Sequence, residues 1–138
     1  MSVMIGRPLQ IALAFVEAIN AGSAEALAGL MTEGHVFIDS DGTECRGKSS
    51  MTDGWRGYFD MVPDYRITVR ETFTAGGTVM LAGEAEGTFV QDRALKPENH
   101  WRVPAAWRAV IEGDKVAVWQ VYVNPEPMGR ILGRIKGP

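Results

Sequence analysis

Asp39 is the side chain best placed for chemistry in this sequence. In a strand beginning at His35, side chains alternate. Asp39 then shares a face with Phe37 and His35, while Val36 and Ile38 point the other way. A carboxylate held among aromatics has its charged form disfavoured, which suits a general base. A second reading is open, because Asp39-Ser40-Asp41-Gly42 is also a turn sequence in which Asp39 only hydrogen-bonds backbone.

Other residues offer binding rather than bond-making. Trp101, Val103, Ala105, Trp107, Ala109 and Ile111 alternate into one apolar face. Period two puts Trp107 inside any sheet that buries this face. Its indole N–H either donates to a ligand oxygen or is satisfied by backbone. Glu84 and Glu86 share a strand face and are expected to meet solvent or a partner subunit. His35 and His100 are the only histidines and lie in no metal-ligand spacing, so no metal site is expected. Cys45 has no helix N-terminus or cation cluster nearby and reads as an inert thiol. A Gly-rich phosphate loop and a Ser-His-Asp signature are both absent, and no cofactor is implied.

The elements that must position these residues follow from periodicity. Leu9, Leu13 and Val16 recur at helical spacing between Arg7 and Ala21, with Pro8 in the first turn and Gly22 past the end. Ser23 caps a second helix with the face Leu27, Leu30 and Met31, closed by Gly34. His35 to Asp39 forms a short strand, and Thr43 to Arg46 a brief extended piece. Ser50 and Asp53 resemble a capping box opening a third helix, with Met51, Trp55, Tyr58, Phe59 and Val62 on its face. Gly54 and Gly57 weaken that helix by roughly 1 kcal/mol each relative to alanine, so packing must hold it. Strands are expected at Tyr65 to Thr74, Thr78 to Val90, His100 to Ile111 and Lys115 to Val123. A polar loop is expected from Gln91 to Asn99, and an irregular tail from Asn124 onward.

This order predicts a single α+β domain over 1–138, with its core at about 7–124 and a tail at 125–138. Three N-terminal helices pack against a strongly curved antiparallel sheet that forms a cone with an apolar pocket inside. Gly83 and Gly87 are candidate bend sites in the long strand. The 46% hydrophobic and 22% charged composition is that of a globular chain. A net charge of -3 and scattered Lys and Arg give no reason to expect nucleic acid. No apolar run reaches membrane-spanning length and no secretory leader is recognisable, so the expected location is cytoplasmic. A single cysteine suits the same compartment.

The run Phe15-Val16-Glu17-Ala18-Ile19-Asn20-Ala21-Gly22 resembles the first helix of ketosteroid isomerases. Val36-Phe37-Ile38-Asp39 falls on the strand carrying that enzyme's catalytic aspartate, and Arg46-Gly47 on the step before its capping helix. Pro104-Ala105-Ala106-Trp107-Arg108, Gly113-Asp114-Lys115 and Trp119-Gln120-Val121-Tyr122 are similar to the final hairpin of SnoaL-like proteins. The resemblance covers about residues 7–124. It implies the nuclear transport factor-like cone and a homodimer.

The resemblance also assigns roles. Asp39 falls on the general base, and Phe15 stands where the isomerase has its oxyanion-hole tyrosine. The second donor, a protonated aspartate, maps onto Trp107 or Ala106 depending on one gap. Trp55 replaces a supporting tyrosine, so isomerisation by that donor pair is not expected. Trp119 and Val121 line the pocket by this comparison, and Trp55, Tyr58 and Phe59 roof it. The implied function is a cofactor-free small-molecule enzyme: isomerase, cyclase, hydratase or hydrolase on an apolar carbonyl- or epoxide-bearing substrate. The alternative is a non-catalytic dimeric module that binds an apolar ligand.

Overall fold

A computed structural model describes residues 6–137. Helix α1 (Arg7–Asn20) buries Ile11, Phe15, Val16 and Ile19, as its spacing requires. Its end is fixed by Asn20, whose amide donates to the Ile67 carbonyl at 3.0 Å and accepts from the Ile67 N–H at 2.8 Å. Helix α2 (Ala24–Gly29) begins at Ser23, whose Oγ accepts from the Ala26 N–H at 3.1 Å.

The second helix was expected to run to Gly34, but it stops after one and a half turns. Strand β1 (Met31–Ile38) starts immediately, because pairing with the last strand claims the backbone from Met31. Strand β2 (Glu44–Arg46) is a short edge piece carrying the exposed Cys45.

Helix α3 (Lys48–Met61) begins two residues before the expected capping box. Gly47, at φ 104°, is its N-cap, and Ser50 lies inside the helix, exposed. A positive φ lets the chain turn sharply from β2 into the helix without a side-chain cap.

Strands β3 (Arg66–Ala75), β4 (Thr78–Gln91), β5 (Ala94–Glu112) and β6 (Lys115–Val123) follow. The expected polar loop at 91–99 is mostly strand: β4 and β5 turn at Asp92 and Arg93, both at positive φ, and Val90 pairs with Leu95. Polar composition hid a hairpin whose outer faces meet solvent.

The sheet order is β2-β1-β6-β5-β4-β3. Its pairings are antiparallel except β1 with β6, which is parallel, because the chain passes through β2, α3 and three further strands before returning beside β1. Register shifts between Val69 and Glu71, and between Thr88 and Val90, bend the long strands. The result is a curved α+β sheet with the helices against its inner side. The inner face of β5 buries Trp101, Val103, Ala105, Trp107, Ala109 and Ile111, as alternation predicts.

The tail is not irregular. Helix α4 (Glu126–Lys136) packs Met128, Ile131, Leu132 and Ile135 against the core. Pro125, Pro127, Gly129 and Gly133 suggested a breaker-rich segment. Prolines fit a first helical turn, however, and a buried apolar face outweighs two glycines. No described helix is long and apolar enough to cross a membrane.

Candidate functional site

The curvature leaves a cavity of about 420 Å³ between the inner sheet face, α3 and α4. Trp55 and Tyr58 enter it from α3, Trp107 and Trp101 from β5, and Trp119 and Val121 from β6. All four tryptophans of the chain therefore stand in one cavity wall. Phe37, Tyr65 and Phe89 extend the aromatic lining. Trp55 meets Phe37 and Tyr58 edge-on, at interplanar angles of 82° and 89°. Such perpendicular contacts are a favoured aromatic geometry and stiffen the wall.

Asp39 also lines this cavity, from its rim. The side chain is exposed, where a partly buried carboxylate among aromatics was expected. The reason is local: β1 ends at Ile38, and residues 39–43 close a tight turn with Gly42 at φ 88°. In that turn the Asp39 N–H donates to the Thr43 carbonyl and its Oδ1 accepts from the Ser40 N–H at 2.7 Å. The two readings of this residue thus coexist: it holds a turn and faces the cavity. Among the described residues no Lys or Arg forms an ion pair with it.

The phenol of Tyr58 is held protonated well above its ordinary range, first by burial, then by neighbouring Tyr65 and the charge of Asp39. Burial alone does the same to Tyr65. Both are neutral hydroxyl groups at any physiological pH. The indole N–H groups of Trp55 and Trp101 are buried without a partner in the same wall. Buried donors of this kind are uncommon, and each can serve a ligand acceptor if its ring shifts slightly.

Two residues expected to touch a ligand stand behind the wall instead. Phe15 is fully buried and stacks on Trp119, with ring centroids 4.7 Å apart. Phe59 packs on Trp55 at 5.5 Å and does not reach the cavity. Their positions on α1 and α3 turn them towards neighbouring rings, so they support the lining rather than form it. Ala106, the alternative to Trp107, lies on the opposite face of β5 and outside the cavity.

The remaining ionisable residues serve structure. His35 is fully buried and contacts Phe15. Its Nδ1 lies 2.7 Å from the Val116 carbonyl oxygen, which can only accept, so Nδ1 carries the proton. Burial lowers its pKa, because a charged imidazolium there would lose its water. On the outer sheet face Glu84 bridges Arg70, at 2.9 Å, and Arg102. These two guanidiniums hold its carboxyl down at about 2. Glu86 is 3.7 Å from His100, whose Nδ1 meets the Thr88 hydroxyl at 2.9 Å, and that hydroxyl also binds Asp64. Among the described residues no three His, Cys, Asp or Glu side chains could hold a metal ion.

With this geometry in view, comparison with known proteins decides the family. The SnoaL-like domain profile matches residues 12–124. The chain belongs to the SnoaL-like family. Its fold is similar to that of a candidate SnoaL-like polyketide cyclase from Shewanella denitrificans OS-217, at TM-score 0.77 and 16% identity over 91% of this chain and 96% of that one. It is also similar to a LEH-like epoxide hydrolase from M. tuberculosis, at TM-score 0.76 and 12% identity over 94% and 92%. A protein of ketosteroid isomerase-like fold from Catenulispora acidiphila DSM 44928, in complex with trimethylamine, matches at TM-score 0.69 and 22% identity over 82% and 84%. No curated protein sequence matches.

Sequence reasoning missed Trp101, Tyr65 and Phe89, and the α4 residues Met128 and Leu132. Trp101 was legible, since it shares the alternating face of Trp107. The spacing of Met128, Ile131, Leu132 and Ile135 was the signal for α4.

Proposed function

We propose that this protein is a cofactor-free enzyme acting on a largely apolar, carbonyl- or epoxide-bearing molecule held in the aromatic cavity. Asp39 removes a proton or activates water at the rim. The observation that carries this reading is a carboxylate without a cationic partner in the wall of a cavity that is built, Ser40 apart, from aromatic and aliphatic residues. Neutral phenols at Tyr58 and Tyr65 supply hydroxyl groups in the same wall, and the tryptophans exclude water from the rest of the substrate.

The test is hydrolysis of styrene oxide and cyclohexene oxide by the wild type and by Asp39→Asn. The variant should lose about 100-fold or more in kcat, the usual scale for a lost general base. Its affinity for the neutral dye N-phenyl-1-naphthylamine should stay within about twofold, because the two side chains have nearly the same shape. The alternative, a non-catalytic binding module, is favoured by the exposure of Asp39 in its turn. It predicts dye binding with no turnover of either epoxide to lose.

A homodimer is part of the same proposal. Tyr122 is 44% exposed on the convex sheet face beside Gln120 and Val118, a half-apolar surface that a second copy would cover. The proposed location is the cytoplasm, where the lone exposed Cys45 stays reduced.

A further inference from the structure

Helix α4 begins at Glu126, beyond the last residue of the family match, Gly-and-Pro-rich though it is. It nevertheless completes the cavity. Met128 and Leu132, one helical turn apart, line it, while Ile131 and Ile135 anchor the helix to the core. A specific polar tether holds the far end. Arg134 donates to the Glu98 carbonyl and, at 3.4 Å, to Oδ1 of Asn99. Asn99 is fully buried, and its amide nitrogen already donates to Gln91 at 3.0 Å and to the Phe89 carbonyl at 3.4 Å. Docking of α4 therefore satisfies the one side of a buried amide that the sheet leaves open.

We infer that α4, which lies beyond the residues matched by the family profile, is a working wall of the cavity, and that Met128 and Leu132 contact the bound molecule and set its shape. This rests on the cavity being the ligand site. Met128 and Leu132 add flexible aliphatic chains to a wall in which Met51 and Met61 of α3 already stand beside the rings of α3, β5 and β6. Flexible side chains suit an uncharged aliphatic portion of the ligand, while the planar portion lies against the tryptophans. A charged group under α4 would have to be desolvated against Met128 and Leu132 with no partner on that helix face.

The four tryptophans report directly on this cavity, so no natural ligand is needed for the test. The full-length wild type, Leu132→Lys, Arg134→Ala and the outward-facing control Arg130→Ala are compared by acrylamide quenching of tryptophan emission. The same proteins are titrated with N-phenyl-1-naphthylamine, and circular dichroism verifies folding. Leu132→Lys should weaken dye binding about tenfold or more, the equivalent of one leucine contact, and raise the quenching constant about twofold. Arg134→Ala leaves the wall intact but frees the helix. It should raise quenching and weaken the dye about threefold even if Leu132→Lys fails to fold. Arg130→Ala should match the wild type. Dye binding and quenching unchanged in folded Leu132→Lys and Arg134→Ala would overturn the role of α4. A wild type that binds no dye would instead overturn the cavity as the ligand site.

Discussion

Gly83 offers the sharpest test of how the cone is built. It pairs with Val69 at the register shift where β3 takes an extra residue, Arg70, against β4. A Cβ there would stand well inside contact with the Thr68 carbonyl oxygen, 2.9 Å from the Thr68 carbonyl carbon and 3.2 Å from the Arg70 nitrogen. Ordinary carbon contacts need about 3.5–4.0 Å, so β3 must retreat by about 0.6 Å or more at that carbon. Every atom in the way is backbone, and no rotamer can relieve the clash. Two or three ladder hydrogen bonds at about 1 kcal/mol each would weaken, offset by about 0.5–1 kcal/mol from stiffening the unfolded chain. The net loss for Gly83→Ala is about 1–2.5 kcal/mol, or about 4–10 °C in Tm for a domain of this size. Gly87→Ala is the matched comparison. Its Cβ would press on Val62 Cγ1 and lie 3.3 Å from Trp101 Cζ2, both side-chain atoms that can give way, so it should cost less. Thermal melts followed by circular dichroism decide the matter. A Gly83→Ala protein melting within about 2 °C of wild type, or one more stable than Gly87→Ala, refutes this account of the bend.

Two further outcomes follow from the same geometry. His35 takes a proton at about 6.5 when unfolded and at a lower pH when buried, so the unfolded chain binds protons that the core refuses. Stability should therefore fall as pH drops below about 6.5, by up to about 1.4 kcal/mol per pH unit. Urea unfolding should show this between pH 7.5 and 5.5, and His35→Leu should flatten the slope. An unchanged slope in that variant would assign the effect elsewhere. On the convex face, sedimentation at micromolar concentration should give a dimer for the wild type, and Tyr122→Glu should shift it to monomer. A wild-type monomer would leave the exposed Tyr122 face without its proposed cover.

The strand pattern was the most legible part of the sequence because β5 is buried on one face and exposed on the other, so alternation survives undiluted from Trp101 to Ile111. The ends of α2 and β1 were not legible. Leu27, Leu30 and Met31 fit a helical face, but Met31 contributes to β1, whose parallel pairing with β6 is a contact across more than eighty residues. Local spacing carries no record of that contact. The hairpin at Asp92 and Arg93 was hidden for a related reason. Both residues adopt positive φ, and Arg93 stands where such a turn usually has glycine, so the turn lacks half of its usual chemical mark. At the site, alternation put Trp107 and Trp119 in the wall. It also turned Asp39 inward, whereas the turn after Ile38 leaves its side chain exposed.

That exposure changes what a reaction here would need. A ligand burying about 300 Å² of apolar surface gains about 7–8 kcal/mol, at about 25 cal/mol per Å². Lost translational and rotational freedom alone costs at least about 4 kcal/mol of this. The aromatic wall by itself therefore supports only weak, shape-selective binding, and polar anchors must set the orientation. The candidates in the wall are Asp39 at the rim, the phenols of Tyr58 and Tyr65, and the unpartnered indole N–H groups of Trp55 and Trp101. An acceptor on the substrate can pair with the phenols or indoles. The carboxylate can only repel it, or take a proton from a neighbouring carbon or water. A substrate whose oxygen points towards the tyrosines and whose acidic proton points towards the rim meets a donor at one end and the carboxylate at the other. Reversing it sets its oxygen against the carboxylate. On the proposed function, charge at the rim would select orientation and the rings beneath would select shape.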